Sequence, residues 1–245
     1  MGTRRDRNDR GFVPRWLLGA ALVAIVALCQ ATAAASEESV DEITQSALAL
    51  DAHPTAGALL FHQQCARCHG PEGHGNAAHE IPCIANQRFA YLVRQLADMS
   101  GDQRESMTMH RVLIGRNLRD PQAWVDVAAW LSTQSGAHHA QEGDGRNLAL
   151  GAAIFREQCA SCHRADARGD DDGFVPSLRN QHYAYLVTQL NRIADGARHN
   201  VDENLIQFFR SLDADEISGV ADYLSRLSGP VKDRKTLRNN GVAVD

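Results

Sequence analysis

Two pentapeptides decide how this chain folds: CARCH at Cys65–His69 and CASCH at Cys159–His163. Both follow the pattern C-x-x-C-H of covalent c-type haem attachment, in which two thiols form thioethers with the haem and the adjacent imidazole binds the iron. C-x-x-C also occurs in zinc sites and redox pairs, but two copies in matching surroundings favour haem. The sequence therefore predicts two haem c groups. The attachment residues are Cys65, Cys68, Cys159 and Cys162, and the iron ligands next to them are His69 and His163.

The surroundings of the two motifs repeat at an offset of 94 residues. The string AYLV at 90–93 recurs at 184–187, and near the end of each repeat the offset slips by one. Such self-similarity indicates one domain written twice. We predict unit one at residues 54–134 and unit two at 148–229, joined by a polar linker at 135–147 and followed by a polar tail at 230–245.

Each unit is predicted to be helical. In unit one, Phe89, Leu92, Val93 and Leu96 recur at spacings of three and four residues, which is typical of a helix with one buried face. Asp-Pro at 120–121 and the acidic run at 213–216 are good helix starts, and no alternating strand pattern occurs. A unit of roughly 80 residues is only marginally stable alone, so we expect the haem to complete its core. The predicted fold class is all-α.

The first 35 residues have the composition of a secretory signal peptide. They contain five arginines, an apolar stretch at 16–29 and a small-residue run at 31–35. The stretch is short for a membrane span, although an uncleaved N-terminal anchor remains the alternative. We therefore predict export to the periplasm, which agrees with haem attachment outside the cytoplasm.

Charge narrows the range of partners. The whole chain carries a formal net charge of −5, and without the five arginines and two aspartates of residues 1–35 it carries −8. Nucleic acid and anionic lipid are poor partners for such a protein, so no nucleic-acid binding is expected. Peripheral membrane association stays open through the N-terminal segment. The acidic balance suggests redox partners that are locally basic, or an apolar docking ring.

The segments that follow the two motifs are IPCIANQRFAYLVRQL at 81–96 and VPSLRNQHYAYLVTQL at 175–190. With C-x-x-C-H before each, the chain resembles the dihaem cytochromes c of the cytochrome c4 family over nearly all of residues 54–229. The resemblance implies two tandem class I cytochrome c domains with their haems near the domain interface. It also implies an electron carrier rather than an enzyme, working between a donor dehydrogenase or cytochrome complex and an acceptor such as a terminal oxidase or reductase.

The resemblance further implies the remaining ligands. The carbonyls of Pro82 and Pro176 would accept the second ring N–H of each histidine. A methionine after the YLxxQL helix would bind the iron from the distal side and raise its reduction potential. Unit one offers Met99, Met107 and Met109. We predict Met109 as the ligand, with Met107 as the alternative and Met99 as a packing residue.

Unit two contains no methionine, which breaks the equivalence of the two haems. Its distal ligand is predicted to be His199, or the iron is open beneath Leu205 and Phe208. A third alternative is Lys232, Lys235 or a partner chain. An open iron would permit a dihaem oxidoreductase, such as a peroxidase or sulfur-compound dehydrogenase, or a ligand-binding haem protein.

The sequence leaves a few other groups to assign. Cys83 is expected to be a free thiol rather than a distal cysteinate, because it directly follows Pro82 on the proximal side. The segment GDDDG at 169–173 is predicted to be an acidic surface turn, and His182 a surface or propionate-facing residue. Candidate partners of the haem propionates, whose charge suits a guanidinium fork, are Arg104, Arg179 and Arg198.

Overall fold

In a computed structural model of the chain, the structure describes residues 39–101, 103–104, 106–116, 118–136 and 140–228. The first half contains α1 (Val40–Leu48), α2 (Pro54–Gln64), α3 (Ala66–His69), α4 (Phe89–Ser100), α5 (Met107–Gly115) and α6 (Pro121–Thr133). The second half contains α7 (Leu148–Ile154), α8 (Ala160–His163), α9 (Tyr183–Ala194), α10 (Glu203–Ser211) and α11 (Ala214–Ser225). A 3-10 turn at Ala77–His79 and a π-helical turn at Phe155–Cys159 complete the helical structure of these residues.

The all-α prediction is confirmed. Within the described ranges, β structure is limited to two isolated bridges, Asn76–Ile81 and Asp170–Val175. None of the helices found there is both long and apolar enough to cross a membrane. The predicted signal peptide and the C-terminal tail lie outside the described residues.

The helix starts read from the sequence are present. Asp120 caps α6 by accepting a hydrogen bond from the backbone of Gln122, and Pro121 takes the first helical position. Asp213 caps α11 in a reciprocal box with Glu216. These caps satisfy backbone N–H groups that have no partner inside the helix.

Each half is built around a close crossing of two helices at a glycine. A Cβ atom added to Gly57 on α2 would lie 1.9 Å from the carbonyl oxygen of Asp126 on α6. The corresponding Cβ at Gly151 on α7 would lie 1.8 Å from the oxygen of Gly219 on α11. No other residue type permits this backbone approach. The crossing explains why a glycine stands at both positions of the repeat.

Each crossing has its own apolar core. In the first half, the fully buried Phe61 packs with residues of α4 and α6, among them Val93 and Val125. In the second half, the fully buried Phe155 holds the position equivalent to Phe61 and packs with residues of α9, α10 and α11. The two cores are therefore separate, as a duplicated domain requires.

Helix α1 is an addition to the first half that the sequence analysis did not assign. Ser39 and Glu42 form a capping box at its start. Thr44 and Ala47 are fully buried, and Asp41 accepts a hydrogen bond from Arg94 of α4 at 2.5 Å. The pattern Ser-x-x-Glu before an apolar residue was the available signal for this helix.

Candidate haem-binding sites

The first motif lies on α3, with Cys65 at the junction of α2 and α3. The following loop folds back through the Asn76–Ile81 bridge and brings the carbonyl oxygen of Pro82 to 3.2 Å from Nδ1 of His69. A carbonyl can only accept, so Nδ1 carries the hydrogen and Nε2 keeps its lone pair for a metal.

Unit two builds the same site. The loop closes through the Asp170–Val175 bridge, and the carbonyl oxygen of Pro176 lies 3.0 Å from Nδ1 of His163. Burial lowers the pKa of both motif histidines, while the hydrogen bond to the proline carbonyl works in the opposite direction. The imidazoles are thus held in the neutral form that iron ligation requires.

The motif thiols also fit haem attachment. Cys68 and Cys162 are exposed, whereas Cys65 and Cys159 are half-buried. Burial raises the pKa of Cys65 and of Cys159 to about 11. This shift is opposite to the lowered pKa of a reactive thioredoxin-like pair. Two thiols beside a properly oriented imidazole form the donor set that a haem c takes.

The residues predicted for the distal side lie on α5 in unit one and on α10 in unit two. Counted from the N-caps Ser106 and Asp202, the third helical residue is Met109 in α5 and Leu205 in α10. The seventh residues, Leu113 and Phe209, are both buried, so the two helices share this register. Leu205 therefore occupies the place in unit two that Met109 occupies in unit one.

Exposure separates the three methionines of unit one. Met107 is 61% exposed, whereas Met109 is partly buried. Met99 is buried on α4. The extra residues of unit one lie after α5, where five residues separate Gly115 from Pro121, against two between Ser211 and Ala214. Aligning the two units on their last helices would therefore shift Met109 by three residues relative to Leu205.

His199 lies in the short segment between α9 and α10, with its side chain exposed. Its neighbours Arg198 and Asn200 both reach into the domain interface, to Gln95 of α4. The backbone on either side of His199 is thus tied down while its own ring faces solvent. Lys232 and Lys235, the other proposed donors, lie outside the described residues.

The two units meet through contacts that repeat the duplication. The amide of Gln87 pairs with the backbone of Ser177, accepting from its N–H at 2.7 Å and donating to its carbonyl at 2.9 Å. Gln181 pairs in the same way with the backbone of Cys83, at 2.9 and 2.8 Å. Because these residues match at the offset of 94, the interface has pseudo-twofold symmetry.

A second symmetric pair corrects two expectations from the sequence. Arg88 donates to the carbonyl of Arg168 at 2.7 Å, and Nε2 of His182 lies 2.9 Å from the carbonyl of His74. His182 is therefore a buried interface residue and not a surface one. The side chain of Asp171 in the GDDDG segment is only 9% exposed and lies in the interface, where its carboxylate accepts from the backbone of Ala90 at the start of α4 and pairs with Arg88.

At the centre of the interface lies a polar cluster made of three repeated pairs. Arg104 donates to Tyr185 at 2.7 Å and to Gln95 at 2.7 Å. Arg198 donates to Gln95 and to Gln189, each at 3.4 Å. The central cluster consists of Tyr91, Gln95, Arg104, Tyr185, Gln189 and Arg198.

The central cluster carries surplus positive charge. Burial raises the pKa of Tyr91, but the positive charges of Arg198 and Arg104 together lower it by more. The net pKa of Tyr91 is therefore below its usual value. Burial lowers the pKa of Arg104, yet Tyr185, Tyr91 and Asp98 together raise it. The buried Asp98 is partly neutralised by Arg94 at 2.7 Å. Two half-buried guanidinium groups, of which Arg104 lies near the partly neutralised Asp98, favour further anionic groups.

Cys83 and Arg179 lie away from the central cluster. The buried Cys83 uses its backbone for Gln181, and its thiol donates to the carbonyl of Ala85 at 3.8 Å. It follows the proline whose carbonyl orients His69, which is the proximal side. Arg179 instead donates to the carbonyl of Asp166 at 3.3 Å and also to that of Ser228.

We expect the double variant Gln87→Ala/Gln181→Ala to loosen the interface. Each substitution leaves a buried backbone N–H and carbonyl without their partner and should cost about 1–3 kcal/mol. Urea unfolding of the holoprotein should show lower stability and separate transitions for the two units. Gln207→Ala, which removes one exposed contact to Glu203, is the control and should change stability by less than about 0.5 kcal/mol. Equal stability of the double variant and the wild type would contradict the role of these pairs.

Comparison with known proteins agrees with this geometry. Residues 148–228 match the Cytochrome c family. Cytochrome c4 of Azotobacter vinelandii is 28% identical over 182 residues, covering 66% of this chain and 84% of that protein. Subunit CcoP of the cbb3-type cytochrome c oxidase of Cereibacter sphaeroides is 26% identical over 140 residues, covering 53% of this chain and 46% of that subunit.

Two solved structures are similar over most of the described residues. Reduced recombinant cytochrome c4 from Pseudomonas stutzeri has a TM-score of 0.64 and 26% identity, covering 72% of this chain and 99% of that one. Thiosulfate dehydrogenase TsdBA from Marichromatium purpuratum, in its as-isolated form, has a TM-score of 0.61 and 26% identity, covering 71% of this chain and 40% of that one.

Two helical domains, each with a C-x-x-C-H motif and an oriented histidine, define a haem c-binding cytochrome. The protein is a cytochrome c4-like dihaem cytochrome c. It is a cytochrome c electron carrier related to cytochrome c4 and to CcoP.

Proposed function

We propose that this protein is a periplasmic dihaem carrier that passes single electrons between a respiratory donor and an acceptor such as a terminal oxidase. The observation that carries this proposal is the symmetric interface, in which Gln87 and Gln181 tie each unit to the backbone of the other. These ties hold two candidate haem sites in a fixed relation. Rapid exchange of electrons between two centres needs such a fixed relation. The haem supplies the one-electron change of its iron when it is bound.

The chain's own residues hold and tune the two groups in this proposal. The four motif cysteines would attach them, and His69 and His163 would bind the irons through Nε2. Met109 would supply a thioether to the first iron and so raise its reduction potential. In the central cluster, Arg104 and Arg198 would bind propionate groups, whose negative charge would balance their own half-buried charge.

The proposed organisation of the chain follows the sequence repeat. Residues 54–134 and 148–229 are the two cytochrome c domains, and 135–147 is the linker. A signal peptide at 1–35, removed on export, places the mature protein in the periplasm. The described end of the linker docks on unit two, because Asp222 accepts from the backbone of Gly143 at 3.1 Å and of Gly145 at 2.7 Å.

A potential titration of the purified holoprotein tests this function. With haem absorbance and electron paramagnetic resonance as readouts, we expect two haems per chain, each changing reversibly by one electron. The first should have histidine and methionine ligands. A single haem per chain, or a haem that cannot be reoxidised reversibly, would contradict the proposal.

A second candidate function follows from Leu205. At this position, which is equivalent to Met109, a leucine offers no donor to iron. An open second iron would bind a small ligand or a substrate, as in a dihaem oxidoreductase. The structural similarity to a thiosulfate dehydrogenase favours a sulfur-compound reaction within this candidate. We expect Cys83 to take no part in it, because it follows Pro82, whose carbonyl lies beside His69, and its thiol donates to the carbonyl of Ala85 at 3.8 Å.

His199→Ala decides how the second iron is completed. If His199 is the ligand, this variant should convert the second haem from low spin to high spin and let it bind carbon monoxide when reduced. The exposed ring of His199 and the tied backbone beside it lead us to expect an open iron instead. Wild type and variant should then bind carbon monoxide equally. A wild type that binds none, together with a variant that does, would establish His199 as the ligand.

A further inference from the structure

Three arginines surround the surface beside the first motif. Arg67 stands between the two cysteines of that motif and is exposed, next to the exposed Cys68. Arg111 and Arg116 line a shallow groove along α5, together with Thr108 and Val112. Arg116 is near enough to Cys65 to lower the pKa of its thiol, against the larger effect of burial. We call Arg67, Arg111 and Arg116 the arginine face.

The fold does not require these charges, because unit two has the same elements without them. Ser161 replaces Arg67 at the offset of 94. In the register set by the helix N-caps, Gln207 replaces Arg111 and Leu212 replaces Arg116. Three cationic positions of unit one are therefore neutral in unit two.

Nor do ion pairs within the described part of the chain use the arginine face. Among the described residues, no carboxylate pairs with Arg67 or Arg111. Arg116 donates to the neutral amide of Gln64 at 2.7 Å. Exposed charges that have no carboxylate partner in this part of the chain can attract an opposite charge from outside.

Apolar side chains accompany the charges. On α5, Met107 is 61% exposed and Ile114 is 44% exposed. Met107 lies four residues before Arg111, and Ile114 lies three residues after it. These spacings place the three side chains on one side of the helix. Apolar groups beside charged ones, around an exposed motif cysteine, are the composition of a transient docking surface.

We propose that the arginine face docks an acidic surface of a redox partner at the first haem. This inference rests on the proposed function and gives its partner a charge. It reverses one expectation from composition, because the acidic balance of −8 without residues 1–35 suggested either a locally basic partner or an apolar docking ring. Charge within about 8–10 Å of the contact governs docking at physiological salt, so the local arginines count for more than charges farther away.

A carboxylate-terminated monolayer on a gold electrode is the probe for an acidic surface. We expect the wild-type holoprotein to adsorb at about 10 mM ionic strength and to desorb as salt rises, since screening shortens the Debye length. Arg67→Ser/Arg111→Gln, which installs the residues of unit two, should reduce the adsorbed electroactive protein by about tenfold. Arg156→Gln/Arg210→Gln removes two exposed arginines from unit two and should adsorb like the wild type.

The outcomes separate this inference from the proposed function. Equal adsorption of the two double variants would contradict docking through the arginine face, since total charge alone would then govern binding. Adsorption that is insensitive to salt would overturn it as well. Reversible reduction of both haems in solution by a small reductant, measured on every variant, tests the carrier function separately. If the haems of the wild type were not reduced reversibly, the carrier function would be contradicted, whereas the docking result would be unaffected.

Discussion

Met109→Leu is expected to make the distal side of unit one like that of unit two, where Leu205 holds the equivalent position. Leucine cannot donate to iron, so the first haem should lose its low-spin signal and bind carbon monoxide when reduced. Its reduction potential should fall, within the roughly 0.8 V range that axial ligands set. Potential titration and spectra with and without carbon monoxide measure these changes.

Two matched variants accompany this prediction. Met107→Leu alters the exposed neighbour and should leave spectrum and potential unchanged, because Met107 is 61% exposed. Leu205→Met places a thioether at the equivalent position of α10 and should give the second haem a methionine ligand. If Met107→Leu rather than Met109→Leu abolished the methionine signal, Met107 and not Met109 would be the iron ligand.

Gly57→Ala is expected to disrupt unit one more than any other single methyl group. The added Cβ would lie 1.9 Å from the backbone oxygen of Asp126, so α2 and α6 must separate. Overpacking against backbone should cost on the order of 3 kcal/mol or more. Thermal and urea unfolding of the holoprotein, followed by the haem absorbance of each unit, would measure the loss.

Gly115→Ala is the control for this effect. An added Cβ there meets nothing within 4 Å, so the variant should be neutral or slightly stabilising through its less flexible unfolded chain. Gly151→Ala should damage unit two as Gly57→Ala damages unit one, since its Cβ would lie 1.8 Å from Gly219. Wild-type stability of Gly57→Ala would show that the crossing tolerates separation.

Much of the local structure followed from the sequence. The apolar spacing of residues 89–96 predicted α4, and Asp120 and Asp213 predicted the starts of α6 and α11. These features depend on neighbours within four residues, which a sequence displays directly. Helix α1 was missed although Ser39 and Glu42 displayed the same kind of signal.

Features that depend on distant residues were not predicted. His182 and Asp171 looked like surface residues because they are polar and lie in polar segments. Each is buried by partners about 80 to 110 positions away, such as Arg88 and His74. No local pattern records such a partner, since burial is decided by how the two units dock.

The sequence alone determined that two haem motifs exist, that they lie in a duplicated helical domain, and that only the first domain has methionines. These properties reside in residue identity and spacing along the chain. Tertiary structure decided which methionine is equivalent to Leu205, where the two arginines of the central cluster meet, and which arginines beside the first motif have no carboxylate partner among the described residues. These depend on helix register and on contacts between residues far apart in the chain, which only folding brings together.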